Sequence, residues 1–195
     1  PQNADMETLI RILLLELGLL ALTMALSVLG QAVILYGAFQ KMRGGGFSIA
    51  QSFARGFARF LPMMGMLALT LLGAMVAGLL FVVPAVILLT MWYVALPACL
   101  IERLGPMESL TRSSFLTRGH RWKVFGIWML VVVVQSVVQQ VLQGALGSGI
   151  LATAAYGLWL VLSEAYQAIV VAVLYHDLRV AKEGIDVERI AAVFE

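Results

Sequence analysis

An uncharged stretch of 41 residues, 61–101, is the feature that most constrains how this chain can fold. A helix that spans a membrane needs about 20 apolar residues, so this stretch has room for two spans and almost no loop. The turn between them is expected at 82–84, where Pro84 can restart the chain, and Pro97 should kink the second helix near its end. The stretch therefore predicts a helical hairpin that crosses a membrane.

The composition of the whole chain favours the same interpretation. Hydrophobic residues make up 62% of the 195 residues, charged residues 12%, and the mean hydropathy is +0.96. A soluble domain carries about a quarter charged residues, because a surface that faces water needs polar groups. Most of this chain therefore has lipid as its solvent. Its one cysteine, Cys99, excludes an internal disulfide.

The hydrophobic pattern predicts an all-α fold, a polytopic transmembrane helical bundle that forms a single domain over 1–195. Five spans are expected, at about 9–40, 61–82, 84–101, 124–143 and 150–176. Short amphipathic helices are expected at about 47–60, 106–118 and 186–195, the last with Asp186 as its N-cap. The helix at 47–60 has two interpretations that we leave open: it lies in the headgroup plane with its phenylalanines in the membrane, or it packs on the bundle.

The positions of the basic residues predict the orientation. Twelve of the 13 lysines and arginines lie in three regions, 41–59, 103–123 and 179–189. Loops rich in Lys and Arg stay in the cytoplasm, so these regions are predicted to be cytoplasmic and the amino end to be outside. The carboxyl end is then cytoplasmic in a multi-pass protein.

The three basic regions also resemble one another, which predicts a repeated hairpin of two helices followed by a basic passage. Two of the hairpins are complete, at 61–101 and 124–178. The first would have only its second arm, 9–40. We therefore expect the complete protein to have a further N-terminal helix and six spans.

Two stretches carry a resemblance to known proteins: ALPACLIERLGPMESLTRSSFLTRGHRWKVFG and VLYHDLRVAKEGID. They resemble a family of six-helix bacterial inner-membrane proteins (YciC-like) and the membrane domain attached to some glycerophosphoryl diester phosphodiesterases. The matching positions are Glu102, Gly105, Pro106, Ser114, Leu116, Thr117, Arg118, Gly119, Tyr175, Asp177, Leu178, Arg179, Glu183 and Gly184. The resemblance covers about 30–190 and implies a helical protein of the bacterial inner membrane, but little about its activity.

Residues that could carry chemistry are few and scattered. A metal site needs clustered His, Cys or carboxylate side chains, whereas His120, His176 and Cys99 are far apart in the sequence. Motifs for phosphate loops, serine nucleophiles and zinc-dependent hydrolysis are missing. We therefore expect no enzyme activity, no cofactor, no metal and no nucleic-acid binding.

One group of polar residues is expected within the membrane. Glu164 lies near the middle of the last span, and Gln135 and Gln139 of the preceding helix should lie at the same depth. A charged side chain there costs at least about 2.5 kcal/mol, so it should face protein or water. Glu164 is either a neutral acid that joins helices through hydrogen bonds, which we favour, or part of a polar passage.

Three functions remain open. We favour a non-catalytic integral membrane protein that organises protein partners or lipids, such as an accessory subunit, a scaffold or a factor in envelope homeostasis. The alternatives are a small-molecule or ion transporter or channel that uses Glu164, Gln135 and Gln139, and a membrane partner of a lipid-metabolising enzyme. The expected partners are anionic lipids and a second protein or a further copy of the chain. The residues expected to contact lipid headgroups are Arg55, Arg59, Arg112, Arg118, Arg121 and Lys123.

Overall fold

The computed structural model describes residues 2–42, 48–147 and 149–184 and is helical almost throughout. The helices are α1 (Gln2–Met42), α2 (Ile49–Ala58), α3 (Phe60–Leu80), α4 (Val82–Trp92), α5 (Ala95–Ile101), α6 (Pro106–Thr117), α7 (Arg121–Leu146) and α8 (Ile150–Glu183). Five segments are long and apolar enough to cross a membrane: α1, α3, α4 together with α5, α7 and α8. The predicted all-α bundle with five spans is confirmed.

The first and last spans are longer than predicted. α1 begins at Gln2 instead of about 9, and an ion pair of 2.6 Å between Arg11 and Glu7, one turn apart, joins this added part to the predicted span. α8 continues to Glu183 instead of 176. The next residue, Gly184, has a left-handed φ of 64°, which is common where helices end. The amphipathic helix predicted at 186–195, with Asp186 as its N-cap, lies outside the described residues.

The prolines act as predicted, at slightly different positions. The turn between α3 and α4 is at Phe81, one residue before the predicted 82–84, and Pro84 lies in the first turn of α4, where a missing N–H costs little. The kink expected from Pro97 is a break between α4 and α5 at Tyr93 and Val94. A proline ring clashes with the carbonyl four residues earlier, which here is that of Tyr93.

The helix α6 packs beside the break between α4 and α5. It folds back along α4 and α5 and buries Ser109, Ser113 and Thr117, which are four residues apart and therefore share one face. The hydroxyls of Ser113 and Thr117 donate hydrogen bonds of 2.7 and 3.3 Å to the carbonyl of Met91, just before the break. The helix predicted at 106–118 thus packs this face into the bundle and leaves Met107 and Phe115 on its exposed face.

The helix α2 folds back along α1 in the same manner. It buries its small residues Ser52 and Gly56 against α1, and a Cβ at Gly56 would lie 3.6 Å from Val33. Phe53 and Phe57 point away from the bundle, with 49% and 62% of their surface exposed. The helix therefore packs on the bundle and presents its phenylalanines outward, and its position in the headgroup plane stays a prediction.

The five spans form a ring in the order α1, α8, α7, α4, α3, with α1 also contacting α3. The buried core lies towards the ends that carry the basic regions, and includes Leu35, Met63, Val94, Leu116 and Tyr175. We call this end of the bundle the basic end. The opposite end, at the turns after α3 and α7, exposes apolar side chains such as Phe81 and Ile150, as lipid contact requires.

Gly73 on α3 is expected to be essential for helix packing, whereas Gly78 is not. A Cβ at Gly73 would lie 2.7 Å from the indole ring of Trp92, while nothing lies within 4 Å of one at Gly78. Gly73→Ala should therefore lower the stability by about 1–3 kcal/mol through overpacking. Gly78→Ala should be neutral or stabilising by up to about 1 kcal/mol, from helix propensity. Thermal unfolding of both variants in detergent checks this, and equal stability would contradict it.

Candidate functional site

Five polar side chains meet at the basic end, between the α5–α6 loop, α6 and α8. We call them the Glu102 cluster: Glu102, Arg112, Tyr175, Arg179 and Glu183. Four of the five belong to the positions on which the sequence resemblance was based, and Arg112 is the exception. The two sequence stretches that define that resemblance are therefore in contact in the fold.

The hydrogen bonds of the cluster converge on two carboxylates. Arg112 donates from Nε and Nη2 to Glu102, at 2.8–3.0 Å, and from Nη2 to Glu183. Tyr175 donates its hydroxyl to Glu102, and Arg179 donates to Glu183 at 2.9 Å. The cluster thus ties the α5–α6 loop and α6 to the end of α8.

The electrostatics of the cluster are balanced. Burial disfavours the charged form of Arg112, but the hydrogen bonds and negative charges of Glu102 and Glu183 outweigh it and raise the pKa of this guanidinium above its usual range. Two arginines face two carboxylates, so each charged side chain of the cluster is paired within it. We conclude that the cluster is a structural clamp.

The backbone at Arg103 positions Glu102. Glu102 is the C-cap of α5, and Arg103 after it has a φ of 58°, a left-handed conformation that usually favours glycine. The carbonyl of Arg103 accepts a hydrogen bond of 2.7 Å from Nη2 of Arg59. The buried Tyr175 packs edge-on against Phe39 of α1, with ring centroids 5.6 Å apart. Contacts from α1, α2 and α8 therefore hold the clamp in place.

An open cleft of about 600 Å³ lies between the end of α6 and the start of α7. We call it the basic cleft; its lining residues are Ser114, Phe115, Arg118, Gly119, Arg121 and Trp122. Arg118 and Arg121 are exposed and form no ion pair within 2–42, 48–147 and 149–184. The ammonium group of Lys182 lies 5.8 Å from the ring of Phe115 and adds a third positive charge nearby.

The other residues expected at lipid headgroups differ in what they contact. Arg55 is exposed and lies 5.9 Å from the ring of Tyr36, and Lys123 is exposed at the start of α7. Arg59 is half-buried on the carbonyl of Arg103. Arg112 departs from the expectation, because the fold-back of α6 directs it to Glu102 and Glu183 and so uses its charge inside the protein.

Glu164 makes its hydrogen bonds to α1. Ser27 donates to Oε1 at 3.0 Å, and the amide of Gln31 donates to Oε2 at 2.7 Å. Gln135 and Gln139 are half-buried on α7, and in the described part of the chain neither is hydrogen-bonded to Glu164. The prediction that Glu164 joins helices agrees with the structure, but its partners differ from those expected. The face of α8 that carries Glu164 packs on α1, which runs parallel to it.

A partly open cavity of about 520 Å³ lies among the five spans and is lined by residues of all of them. We call it the central cavity. Its polar lining comes from Thr23, Ser27, Gln31, Thr70, Tyr93 and Gln167, and the rings of Trp92 and Trp128 also face it. The two side chains that bind Glu164, Ser27 and Gln31, both belong to this lining. Sequence reasoning found Glu164 but not the cavity, because its walls come from distant segments.

No family model, curated protein or solved structure matches the chain. Its function has therefore to be inferred from its own side chains.

The cysteine and one of the histidines have identified neighbours. Cys99 is buried in the core, where its thiol lies 3.6 Å from the carbonyl of Leu104. His176 lies 3.6 Å from its neighbour Asp177. Within the described ranges, no three His, Cys, Asp or Glu side chains are grouped so that they could hold a metal ion.

Proposed function

We propose that the protein is a non-catalytic integral membrane protein that organises lipids and, through them, protein partners, and that the basic cleft binds anionic lipid headgroups. The observation that carries this proposal is the pair Arg118 and Arg121, two exposed guanidinium groups without ion-pair partners in the described chain that line one open cleft. A guanidinium group binds phosphate oxygens through two parallel hydrogen bonds. Lipid phosphates are the abundant anions at this level of a membrane.

The aromatic residue beside the cleft supports a lipid ligand over a free anion. Trp122 has 86% of its surface exposed, and tryptophan is enriched where a membrane meets water. Phe53 and Phe57 of α2 are likewise exposed at the basic end, where they can enter the acyl region. Of these, Trp122 lines the cleft and offers a contact to the chains of a lipid whose phosphate the two arginines bind.

Replacing both Arg118 and Arg121 with Gln is expected to reduce the retention of anionic phospholipid. Each basic residue near an anionic surface contributes about 1 kcal/mol, so the two together correspond to about a thirtyfold change in affinity. Native mass spectrometry of the purified protein, mixed with phosphatidylglycerol and phosphatidylcholine, measures the retained lipid. Arg11→Gln, at the other end of the bundle, is the matched control. Unchanged phosphatidylglycerol retention in a folded double variant would exclude the proposal.

We also propose that the basic end faces the cytoplasm and, on the strength of the sequence resemblance, that the membrane is the bacterial inner membrane. The support for this orientation is the clustering of Lys and Arg at one end. Met107→Cys, 65% exposed on α6, should react with a membrane-impermeant maleimide only after the cells are opened, while Ile150→Cys, 90% exposed, should react in intact cells. The buried Cys99 gives little background. The reverse pattern would refute this orientation.

Transport is a second candidate function, and the central cavity favours it. Many transporters bind their substrates near the middle of the membrane, beside broken helices. Here the break between α4 and α5 places Tyr93 in the cavity wall, opposite the α1 residues that bind Glu164. Uptake by liposomes that contain the purified protein would test this function, with the ligand class inferred below.

A further inference from the structure

The central cavity has the size and the lining of a ligand-binding site. Its volume of about 520 Å³ falls in the range of pockets that bury small organic molecules. Most of its wall is apolar or aromatic, and six polar side chains interrupt it on α1, α3, α8 and the break after α4. A site of this kind binds a molecule that is largely apolar and carries one polar group.

One polar group of the wall is weakly satisfied. The hydroxyl of Tyr93 is buried next to Gln167, which lines the same cavity, and the two do not form a hydrogen bond of good geometry. Buried polar groups in native proteins are almost always hydrogen-bonded, and exceptions deserve a functional explanation. Tyr93 is held there by the break that Pro97 causes, so the fold directs this hydroxyl to a cavity occupant.

The acidic side chain next to the cavity is Glu164, which lies behind the lining. Glu164 lies three and four residues before Gln167 and Ala168, which line the cavity, so all three share one face of α8. Its carboxyl group is bound by Ser27 and Gln31, which also line the cavity. No Lys, Arg or His of the described residues belongs to the lining. An anionic occupant would therefore meet no positive charge, whereas a cation would have the carboxyl group of Glu164 behind Ser27 and Gln31.

The aromatic rings of the wall fit the same ligand. Trp92 at the end of α4 and Trp128 on α7 come from neighbouring spans, and Tyr93 lies beside Trp92. The faces of aromatic rings attract cations, tryptophan most strongly, and several rings together recognise quaternary ammonium groups. We propose that the central cavity binds a small organic cation with an apolar body, whose ammonium group lies near the tryptophans and towards Ser27 and Gln31, which hold the carboxyl group of Glu164.

The inference rests on the second candidate function, transport, for which it names the class of substrate. It requires only that the central cavity binds the cation. Because the cavity is separate from the basic cleft, it is also independent of lipid retention at Arg118 and Arg121. Binding without uptake by liposomes would leave the inference standing and remove transport as a function. Loss of lipid retention would not affect it.

The test is a pair of ligands that differ only in charge. Benzyltrimethylammonium is the cation, and neopentylbenzene, with carbon in place of nitrogen, is its uncharged isostere. Binding to the full chain in nanodiscs is measured by titration calorimetry and by tryptophan fluorescence, with empty nanodiscs subtracted. We expect saturable binding of the cation, at least tenfold tighter than that of the isostere. Equal affinity for the two ligands, or no saturable binding of the cation, would overturn the inference.

Variants locate the binding site. Glu164→Gln should weaken cation binding at least tenfold and leave the affinity for the isostere unchanged. Glu16→Gln, which removes an exposed carboxylate from α1, should change neither. Trp128→Leu should weaken cation binding about fivefold or more through the lost ring and provides a second test if Glu164→Gln does not fold. Wild-type preference for the cation in both folded cavity variants would overturn the proposed site.

Discussion

Glu102→Gln is expected to destabilise the protein by about 3 kcal/mol, as the removal of one partner from a largely buried ion pair does. Glu102 has 19% of its side-chain surface exposed, and its loss leaves Arg112 and Arg179 with Glu183 as their only carboxylate in the cluster. The tie between the α5–α6 loop and α8 would then be weakened. Thermal unfolding in detergent, compared with Glu16→Gln at an exposed site, measures the effect.

A double-mutant cycle distinguishes the direct pairing of Glu102 with Arg112 from a general effect of charge on stability. Arg112→Gln alone should be destabilising for the same reason, since it leaves Glu102 without its closest partner. The combined variant should lose at least 1 kcal/mol less than the sum of the single losses, because the two side chains are in contact. Strict additivity, or a Glu102→Gln protein as stable as Glu16→Gln, would show that the Glu102 cluster does not stabilise the fold.

Glu164→Leu is expected to loosen α8 from α1, whereas Glu164→Gln is expected to keep the fold. Leucine would leave the hydroxyl of Ser27 and the amide of Gln31 without their acceptor. Each unpaired buried group costs about 1–3 kcal/mol, and hydrogen bonds between membrane helices contribute about 0.6–2 kcal/mol each. The total loss should be about 2–4 kcal/mol. Glutamine has nearly the same size and can still accept a hydrogen bond through its carbonyl oxygen.

The two variants of Glu164 also separate an effect on stability from an effect on function. Thermal unfolding should place Glu164→Gln near the wild type and Glu164→Leu well below it. Ser27→Ala with Gln31→Leu should remove most of the difference, because those two groups no longer need a partner. Equal stability of the wild type, Glu164→Gln and Glu164→Leu would mean that Glu164 does not join α1 to α8. A stable Glu164→Gln protein that has lost a cellular activity would favour the transport candidate over the structural role.

The sequence by itself determined the fold class and the approximate position of every span. The uncharged stretch 61–101 has no charged side chains that could face water. In lipid, an apolar chain of this kind satisfies its backbone hydrogen bonds by forming helices. Pro97 determined the helix break, because the lost N–H and the ring clash are local effects. The distribution of Lys and Arg likewise separated a basic end from an uncharged one. These conclusions need only properties of neighbouring residues.

Only the tertiary structure decided which distant side chains meet. Glu164 and its partners Ser27 and Gln31 are more than 130 residues apart, on parallel spans that no short turn connects. Arg112 could face lipid or protein, and the fold-back of α6 along α4 and α5 turned it to Glu102. Hydrophobic periodicity shows which face of a helix is polar, but a helix bundle has many packings with the same pattern. The central cavity and the Glu102 cluster depend on that choice.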